Sequence, residues 1–315
     1  MTLRELGEFG LIDRIARAAA RRGGARAAVV RGIGDDAALL RLRAGEQIAV
    51  STDACFEGVH FRLRSESPRT IGRRALVANL SDLAAMGARP LGCLLALAAP
   101  PGLPVRTADA LVAGLLGEAA RHACPLVGGN LSRARELSLT ITVIGAVARG
   151  RALRRDAARP GDRIYVTGSL GGAALERARA ERGRSRVRRV PVPRLRAGRA
   201  LAALGRRAAC IDLSDGLDAD LAHLLAPRAL VAEIDATRLP LPAGFRAACA
   251  RAGLDPEVVA RRGGEDYELL FTLPRGGPSA GWLSRRLGVR VTEIGRVRRR
   301  ASGGPSPRAG GWRHF

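Results

Sequence analysis

Strand-like and helix-like segments alternate along both halves of this chain, and that alternation restricts the fold most. Apolar runs of four to eight residues predict strands, including 47–51, 91–98, 163–167, 208–211 and 291–297. Apolar residues at helical spacing predict helices near 11–19, 68–87 and 107–122. A basic segment, 151–159, and a Pro-Gly-Asp turn separate the two halves. We therefore predict an α/β or α+β fold with two domains, 1–149 and 150–315.

Acidic residues are scarce, 29 against 53 basic ones, and several lie beside glycine or after a predicted strand. Asp35 and Asp36 follow a Gly-Ile-Gly turn, and the strand 47–51 leads into Ser51-Thr52-Asp53. The other candidates are Asp82, Asp212, Asp215, Glu265 and Asp266. Carboxylate oxygens are ligands that Mg²⁺ prefers, and Mg²⁺ in proteins commonly accompanies phosphate. The pattern favours a magnesium–phosphate site, although an Asp-Asp pair after glycine is also common in solvated turns.

The helix predicted to begin at Ser67-Pro68 and to end at Gly87 carries Asn79 and Asp82 on one face, three residues apart. Apolar residues flank Asp82, so its carboxylate needs a partner if that face is buried. His60 lies seven residues after Asp53. A lone histidine is more often structural than catalytic.

The formal charge of +24 suggests nucleic acid as a partner, but the composition argues against it. The chain contains no lysine, which is typical of codon bias in a GC-rich genome, and its arginines are spread along the sequence. Aromatic residues, which stack on bases, make up only 3%. Without lysine the chain cannot form a Gly-Lys-Ser/Thr phosphate loop, so ATP chemistry requires another scaffold.

Five cysteines are widely spaced and form no Cys-x-x-Cys pair, which favours free thiols in a reducing compartment. The longest apolar run, near Leu91–Pro101, is too short to span a bilayer. These features predict a cytoplasmic protein with no membrane partner.

Nine stretches, in order and across nearly the whole chain, resemble the thiamine-monophosphate kinase family of the aminoimidazole ribonucleotide synthetase superfamily. They are Gly32–Ala37, Ser51–Asp53, Gly58–Phe61, Asn79–Ala88, Gly128–Gly129, Pro160–Asp162, Ile164–Gly168, Ile211–Leu217 and Gly263–Leu270. The Asn79 and Gly263 stretches are the specific ones. The Gly128-Gly129-Asn130 segment, predicted to be a turn after the strand Leu126-Val127, is weak evidence alone.

The resemblance implies an N-terminal domain that binds ATP and Mg²⁺ and forms a homodimer through its sheet, and a C-terminal α/β domain that closes over ATP. It implies transfer of the ATP γ-phosphate to thiamine monophosphate, with several Mg²⁺ ions and no side-chain nucleophile. The implied metal ligands are Asp36, Ser51, Thr52, Asp53, Asp82, Asn130, Asp212 and Asp215. The implied ATP contacts are Gly129, Asn130, Arg155 and Ser214, and the implied thiamine contacts are His60, Glu265 and Trp312.

The chain departs from the family pattern at Asn130, where the family usually has Asp, at Leu131-Ser132, where it has Thr-Thr, and at the turn 168–172, which lacks the usual Asp-Ser. Asn keeps an oxygen ligand but loses a charge. Three alternatives stay open: another ATP-using enzyme of the same superfamily, a degenerate relative, and a basic nucleic-acid-binding protein. His60, Glu265 and the Trp312 segment favour thiamine.

Overall fold

The computed structural model describes residues 1–21, 28–34, 36–205 and 207–300. The chain forms two compact units. The first comprises Met1–Leu83, Arg89–Arg149 and Ser185–Val190, and the second comprises Ala84–Ala88, Gly150–Arg184 and the chain from Pro191 onward.

A four-stranded mixed sheet forms the centre of the first unit, with strand order β3-β6-β4-β5. Strand β6 is antiparallel to both β3 and β4, whereas β4 and β5 run parallel and are joined through helix α4. A separate ribbon pairs β1 with β2. The elements are α1 (Leu3–Leu6), α2 (Glu8–Arg21), β1 (Val29–Arg31), β2 (Leu39–Leu40), β3 (Glu46–Phe56), α3 (Pro68–Ala85), β4 (Arg89–Ala99), α4 (Val105–Arg121), β5 (Leu126–Arg133) and β6 (Ser138–Ala148).

The two faces of this sheet differ in burial. On one face the side chains of Cys93, Leu95, Ile141 and Val143 are at most 3% exposed. On the other face Ile48 and Val50 of the edge strand β3 are 57% and 61% exposed. The first unit therefore has one covered face and one open apolar face.

Helix α3 lies on the covered face and is the helix predicted from the sequence. The Ser67 hydroxyl accepts the Thr70 N–H at 3.1 Å, and Gly87 follows the helix in a left-handed conformation at φ 69°. Helix α4 approaches α3 closely because Gly72 has no side chain: a Cβ there would lie 1.9 Å from the Leu111 carbonyl oxygen.

The second unit is built on a five-stranded antiparallel sheet with strand order β8-β10-β7-β11-β9. Its core contains Ile164, Val166, Ile211, Leu270 and Ile294, each at most 2% exposed. The elements are β7 (Arg163–Thr167), α5 (Gly172–Glu181), α6 (Leu195–Ala203), β8 (Ala209–Asp212), α7 (Leu217–Leu225), β9 (Leu230–Ile234), α8 (Phe245–Ala252), α9 (Pro256–Arg262), β10 (Leu269–Leu273), α10 (Ala280–Leu287) and β11 (Val291–Arg299).

The structure corrects two predictions. The Gly128-Gly129-Asn130 segment is not a turn, because β5 continues through it to Arg133 and pairs with β4. Strand β3 does not end at Ser51, so Asp53 lies within the strand rather than after it. Among the described residues, no helix is both long and apolar enough to cross a bilayer.

Candidate active site

Hydrogen bonds from β3 to α3 create the first polar cluster on the covered face of the first sheet. The Ser51 hydroxyl lies 2.6 Å from Asp82 Oδ2. The Asp53 main-chain N–H donates to Asn79 Oδ1 at 3.1 Å. Asn79 is fully buried and also donates to the Ala75 carbonyl oxygen at 3.0 Å. Asp82 therefore has the partner that its apolar surroundings required, and Asn79 fixes the main chain at Asp53.

Thr52 does not join this cluster through its side chain. Successive side chains of a strand point to opposite faces, and the Thr52 hydroxyl lies 3.1 Å from the Ile141 carbonyl oxygen and 3.0 Å from Thr142 Oγ1. The predicted run of three side-chain ligands, Ser51-Thr52-Asp53, is thus split between the two faces.

Asn130 also lies away from Asp53. The strand register aligns Asp53 with Gly129 through Ile141 and Leu95. That alignment spans three strand spacings, or about 14 Å of sheet. Asn130 occupies the neighbouring row, on the open face, where Nδ2 lies 2.8 Å from Ser132 Oγ. Within the chain, Asn130 and Asp53 do not face each other.

The remaining predicted residues of the first unit lie in loops. Asp36 is exposed in the connection between β1 and β2, and Asp35 is outside the described residues. His60 is half-buried in the turn after β3, and its Nδ1 accepts the Phe56 N–H at 3.1 Å. In the neutral ring, this hydrogen bond assigns the proton to Nε2.

The second cluster surrounds the end of β8. Asp212 is its last residue and is 4% exposed. The loop after β8 forms main-chain hydrogen bonds with the segment before β10. The Ser214 carbonyl oxygen accepts the Glu265 N–H at 2.8 Å, and the Leu213 carbonyl oxygen accepts the Tyr267 N–H at 2.9 Å. The loop presents Ser214 and Asp215 beside Asp212.

Asp220, on α7, holds this loop and was not predicted as a site residue. Its Oδ2 accepts the main-chain N–H groups of Asp215 and Gly216, each at 3.1 Å. Burial raises the pKa of Asp220 to about 8, and the charges of Asp212 and Asp215 add to this effect. The sequence contained a signal for this role, because an acid in the first turn of the predicted helix after Gly216 can accept the main-chain N–H groups that precede the helix.

Glu265 and Tyr267 have left-handed backbone conformations at φ 66° and 50°. Non-glycine residues adopt such conformations rarely and often at functional sites. Glu265 pairs with Arg177 of α5. Because Glu265 is anchored through its main chain to Ser214, its carboxylate has a defined position near the second cluster.

Two buried acids next to Glu265 support this segment. Asp266 accepts the Gly171 and Ala173 N–H groups, at 2.5 and 3.2 Å, at the start of α5. Glu268 is 2% exposed and accepts two hydrogen bonds from Arg194, at 2.5 and 2.6 Å. The sequence contained both acids within its Gly263–Leu270 stretch but did not predict these roles.

Arg155 is exposed in a short 3-10 turn, Arg155–Ala157, that packs against β8 and α7. Trp312 lies outside the described residues.

The donor set of both clusters fits Mg²⁺ in kind, because carboxylate and hydroxyl oxygens are hard ligands. Among the described residues, no three Asp, Glu, His or Cys side chains converge closely enough to hold a metal ion. A small number of converging side-chain ligands is compatible with Mg²⁺, which usually keeps waters and takes one or two carboxylates together with substrate phosphates.

Comparisons with known proteins identify the family of this chain. Residues 34–147 match the family model "AIR synthase related protein, N-terminal domain". The thiamine-monophosphate kinase of Escherichia coli (strain K12) is 39% identical over 92% of this chain and 90% of its own length. The chain belongs to the thiamine-monophosphate kinase family.

Solved structures of thiamine-monophosphate kinases share the fold. The enzyme from Stenotrophomonas maltophilia is 39% identical, has a TM-score of 0.81, and covers 93% of this chain and 95% of its own. AaThiL complexed with AMPPCP and TMP is 31% identical, has a TM-score of 0.76, and covers 100% of this chain and 99% of its own. The predicted aminoimidazole ribonucleotide synthetase-like fold is thus confirmed.

Proposed function

We propose that this protein transfers the γ-phosphate of ATP to thiamine monophosphate, giving thiamine diphosphate and ADP. The observation that carries the proposal is its full-length similarity to AaThiL, whose structure contains AMPPCP and TMP. The two acidic clusters support it, because bringing a phosphate acceptor to ATP concentrates negative charge that hard cations must neutralise.

The residues proposed to hold Mg²⁺ belong to both clusters. In the first unit they are Asp36, Ser51, Asp53 and Asp82, with Asn130 apart from them on the open face of the sheet, and in the second they are Asp212 and Asp215. Bound Mg²⁺ would neutralise phosphate charge and align the reacting oxygens. Since the Thr52 side chain faces the opposite side of the sheet, we propose that Thr52 contributes only a main-chain oxygen.

The protein's own groups have distinct tasks in this proposal. The Ser51 hydroxyl and the Asn79 amide fix the orientation of Asp82 and of the chain at Asp53. Asp220 fixes the loop that presents Ser214 and Asp215. No side chain needs to act as a nucleophile, because the acceptor phosphate attacks directly.

The ATP contacts proposed are Gly129, Asn130, Arg155 and Ser214. A side chain at position 129 would meet the Leu95 carbonyl oxygen at 2.0 Å. Glycine at position 129 therefore lets β5 pair closely with β4 where Leu95 lies beside it.

The thiamine contacts proposed are His60, Glu265 and Trp312. The Glu265 carboxylate suits the positively charged thiazolium ring, and the His60 Nε2–H is a suitable donor to the acceptor substrate. The domain assignment follows: 1–149 carries the first cluster and the dimer interface, and 150–315 carries the second cluster and Glu265.

We also propose a homodimer formed through the open face of the first sheet. Ile48, Val50 and Phe56 of β3 are 57%, 61% and 41% exposed, which is unusual for neighbouring apolar residues on one strand. A second copy of the chain would cover them and the free edge of β3. A cytoplasmic location is proposed because ATP is available there and the five cysteines, all free, stay reduced.

The test of the function is product analysis with purified protein, Mg-ATP and thiamine monophosphate, with thiamine as the control acceptor. The proposal predicts thiamine diphosphate and ADP in equal amounts, dependent on Mg²⁺ and on the monophosphate. ATP-dependent stabilisation without thiamine diphosphate would instead favour another enzyme of the superfamily or a degenerate relative.

A further inference from the structure

The Arg-rich segment Ser185–Val190, here called the strap, folds as part of the first unit. The Val187 N–H donates to the Ser65 carbonyl oxygen at 3.0 Å, and Val187 also forms a bridge with Glu66. The Val187 side chain is only 7% exposed. The strap is therefore anchored to the segment 62–66.

The anchored strap places its arginine residues beside those of the segment 62–66. The strap carries Arg186, Arg188 and Arg189, and the segment facing it carries Arg62 and Arg64. Arg186 reaches across to the Arg64 carbonyl oxygen at 3.5 Å. Within the described residues, the guanidinium groups of Arg62 and Arg64 form no hydrogen bond or ion pair.

The acids of the facing segment compensate little of the charge of Arg62, Arg64 and Arg186. Glu66 is 3% exposed and already pairs with Arg74. In the stretch 57–66 the only other acid is Glu57. Arg62, Arg64 and Arg186 thus form an exposed basic surface, and solvent-exposed positive charge in one place raises the local concentration of anions.

The basic surface lies next to a proposed substrate contact. Arg62 follows His60 by two residues, so their Cα atoms are at most about 7 Å apart. Both proposed substrates carry phosphate groups. Charge at the entrance to a site increases the rate at which such ligands arrive without changing the chemistry that follows.

We propose that the strap, together with Arg62 and Arg64, is a steering surface for phosphate-bearing small molecules approaching the His60 turn. The inference rests on the proposed function for the identity of those molecules. In this proposal the Arg residues increase the rate of substrate association and take no part in catalysis. Their positive charge is required, whereas the planar shape of the guanidinium is not.

The test is the triple variant R62Q/R64Q/R186Q, which removes three exposed charges. Its matched control is R159Q/R275Q/R299Q, which removes three exposed charges at the end of the second sheet away from Asp212. We expect kcat/KM of the strap variant to fall about tenfold at low ionic strength and less than twofold in about 0.5 M salt, with kcat unchanged. The control should change less than twofold in both conditions.

The proposal is overturned by equal losses in both triple variants, by a loss that persists in high salt, or by failure of R62K/R64K/R186K to retain the wild-type rate. Measuring kcat/KM separately for ATP and for thiamine monophosphate shows which phosphate-bearing substrate is steered. If kcat/KM of the strap variant falls for neither substrate, the proposal is refuted.

A second readout does not depend on turnover. The association rate of a fluorescent ATP analogue, followed by stopped flow, should fall about tenfold in the strap variant. If the wild type binds the analogue with this pattern but makes no thiamine diphosphate, the proposed function fails and the steering surface stands. If the wild type does not bind the analogue, or binds it at the same rate as the strap variant, the steering surface is refuted.

Discussion

Replacing Ser51 with alanine tests the link between the hydrogen-bond geometry of the first cluster and its proposed metal binding. The Ser51 hydroxyl lies 2.6 Å from Asp82 Oδ2, a distance typical of a hydrogen bond to an ionised carboxylate. Such a bond contributes about 1.5–3 kcal/mol when buried. Because Ser51 and Asp82 are only partly buried, we expect Ser51→Ala to lower the free energy of unfolding by about 1.5 kcal/mol.

The functional effect should exceed that structural cost. Removing a group that orients a metal ligand typically weakens metal affinity by about 10- to 100-fold. We therefore expect the Mg²⁺ concentration that gives half-maximal ADP formation to rise about tenfold in Ser51→Ala. Initial rates at fixed ATP and varied Mg²⁺ measure this value, and thermal melting in Mg²⁺-free buffer measures the loss of stability.

Thr52→Ala is the matched control, because it removes a hydroxyl from the adjacent residue on the opposite face of the same strand. Its bonds are to Ile141 O and Thr142, so it should lower the melting temperature slightly and leave the Mg²⁺ requirement unchanged. A normal Mg²⁺ requirement in Ser51→Ala, or an equal rise of that requirement in Thr52→Ala, would refute a role of the Ser51–Asp82 hydrogen bond in metal binding.

Further predictions concern other parts of the molecule. Asn130→Asp restores the family's usual charge and should reduce the Mg²⁺ concentration for half-maximal rate; an unchanged titration would argue against a metal role at this position. Gly168→Ala should lower the free energy of unfolding by at least about 3 kcal/mol, since its Cβ would lie 1.8 Å from Glu268 Oε1 at φ 59°. In Gly183→Ala the φ is 69° but nothing lies within 4 Å, so denaturant melts should show a loss of only about 1 kcal/mol. Asp220 has a pKa raised from 3.8 to about 8, so in Mg²⁺-free buffer its contribution to stability is intact below about pH 4 and declines as the pH rises to 8. Asp220→Asn should remove that decline. The melting temperature of the variant minus that of the wild type should therefore increase from pH 5 to 8.5, and a constant difference would contradict a raised pKa for Asp220.

Elements with a strong local pattern were predictable from the sequence. Strand β7 spans Arg163–Thr167 as predicted, and α3 begins after Ser67 because the serine hydroxyl caps the Thr70 N–H. The spacing of Asn79 and Asp82 placed both on one helix face, and both contact β3.

The errors have physical causes. Gly128 and Gly129 look like a turn locally, but pairing with β4 supplies hydrogen bonds that keep β5 extended, and tertiary contacts overrode local preference. Asp53 was placed after a strand because a charged residue interrupts the apolar run, whereas an edge strand tolerates exposed charge.

Contacts between distant segments could not be read from the chain. Glu268 meets Arg194 across 74 positions, and the strap meets the segment 62–66 across more than a hundred. A sequence pattern identifies residues of a cluster by type, but the register of strands decides which of them meet. The separation of Asn130 from Asp53 is the clearest case.

The central claim is that ATP and thiamine monophosphate are converted to ADP and thiamine diphosphate. The most direct test incubates the purified protein with Mg-ATP and either thiamine monophosphate or thiamine, and quantifies thiamine diphosphate by chromatography. We predict one thiamine diphosphate per ADP from the monophosphate, and no phosphorylated product from thiamine. Absence of thiamine diphosphate at saturating Mg-ATP, or equal phosphorylation of thiamine, would contradict it.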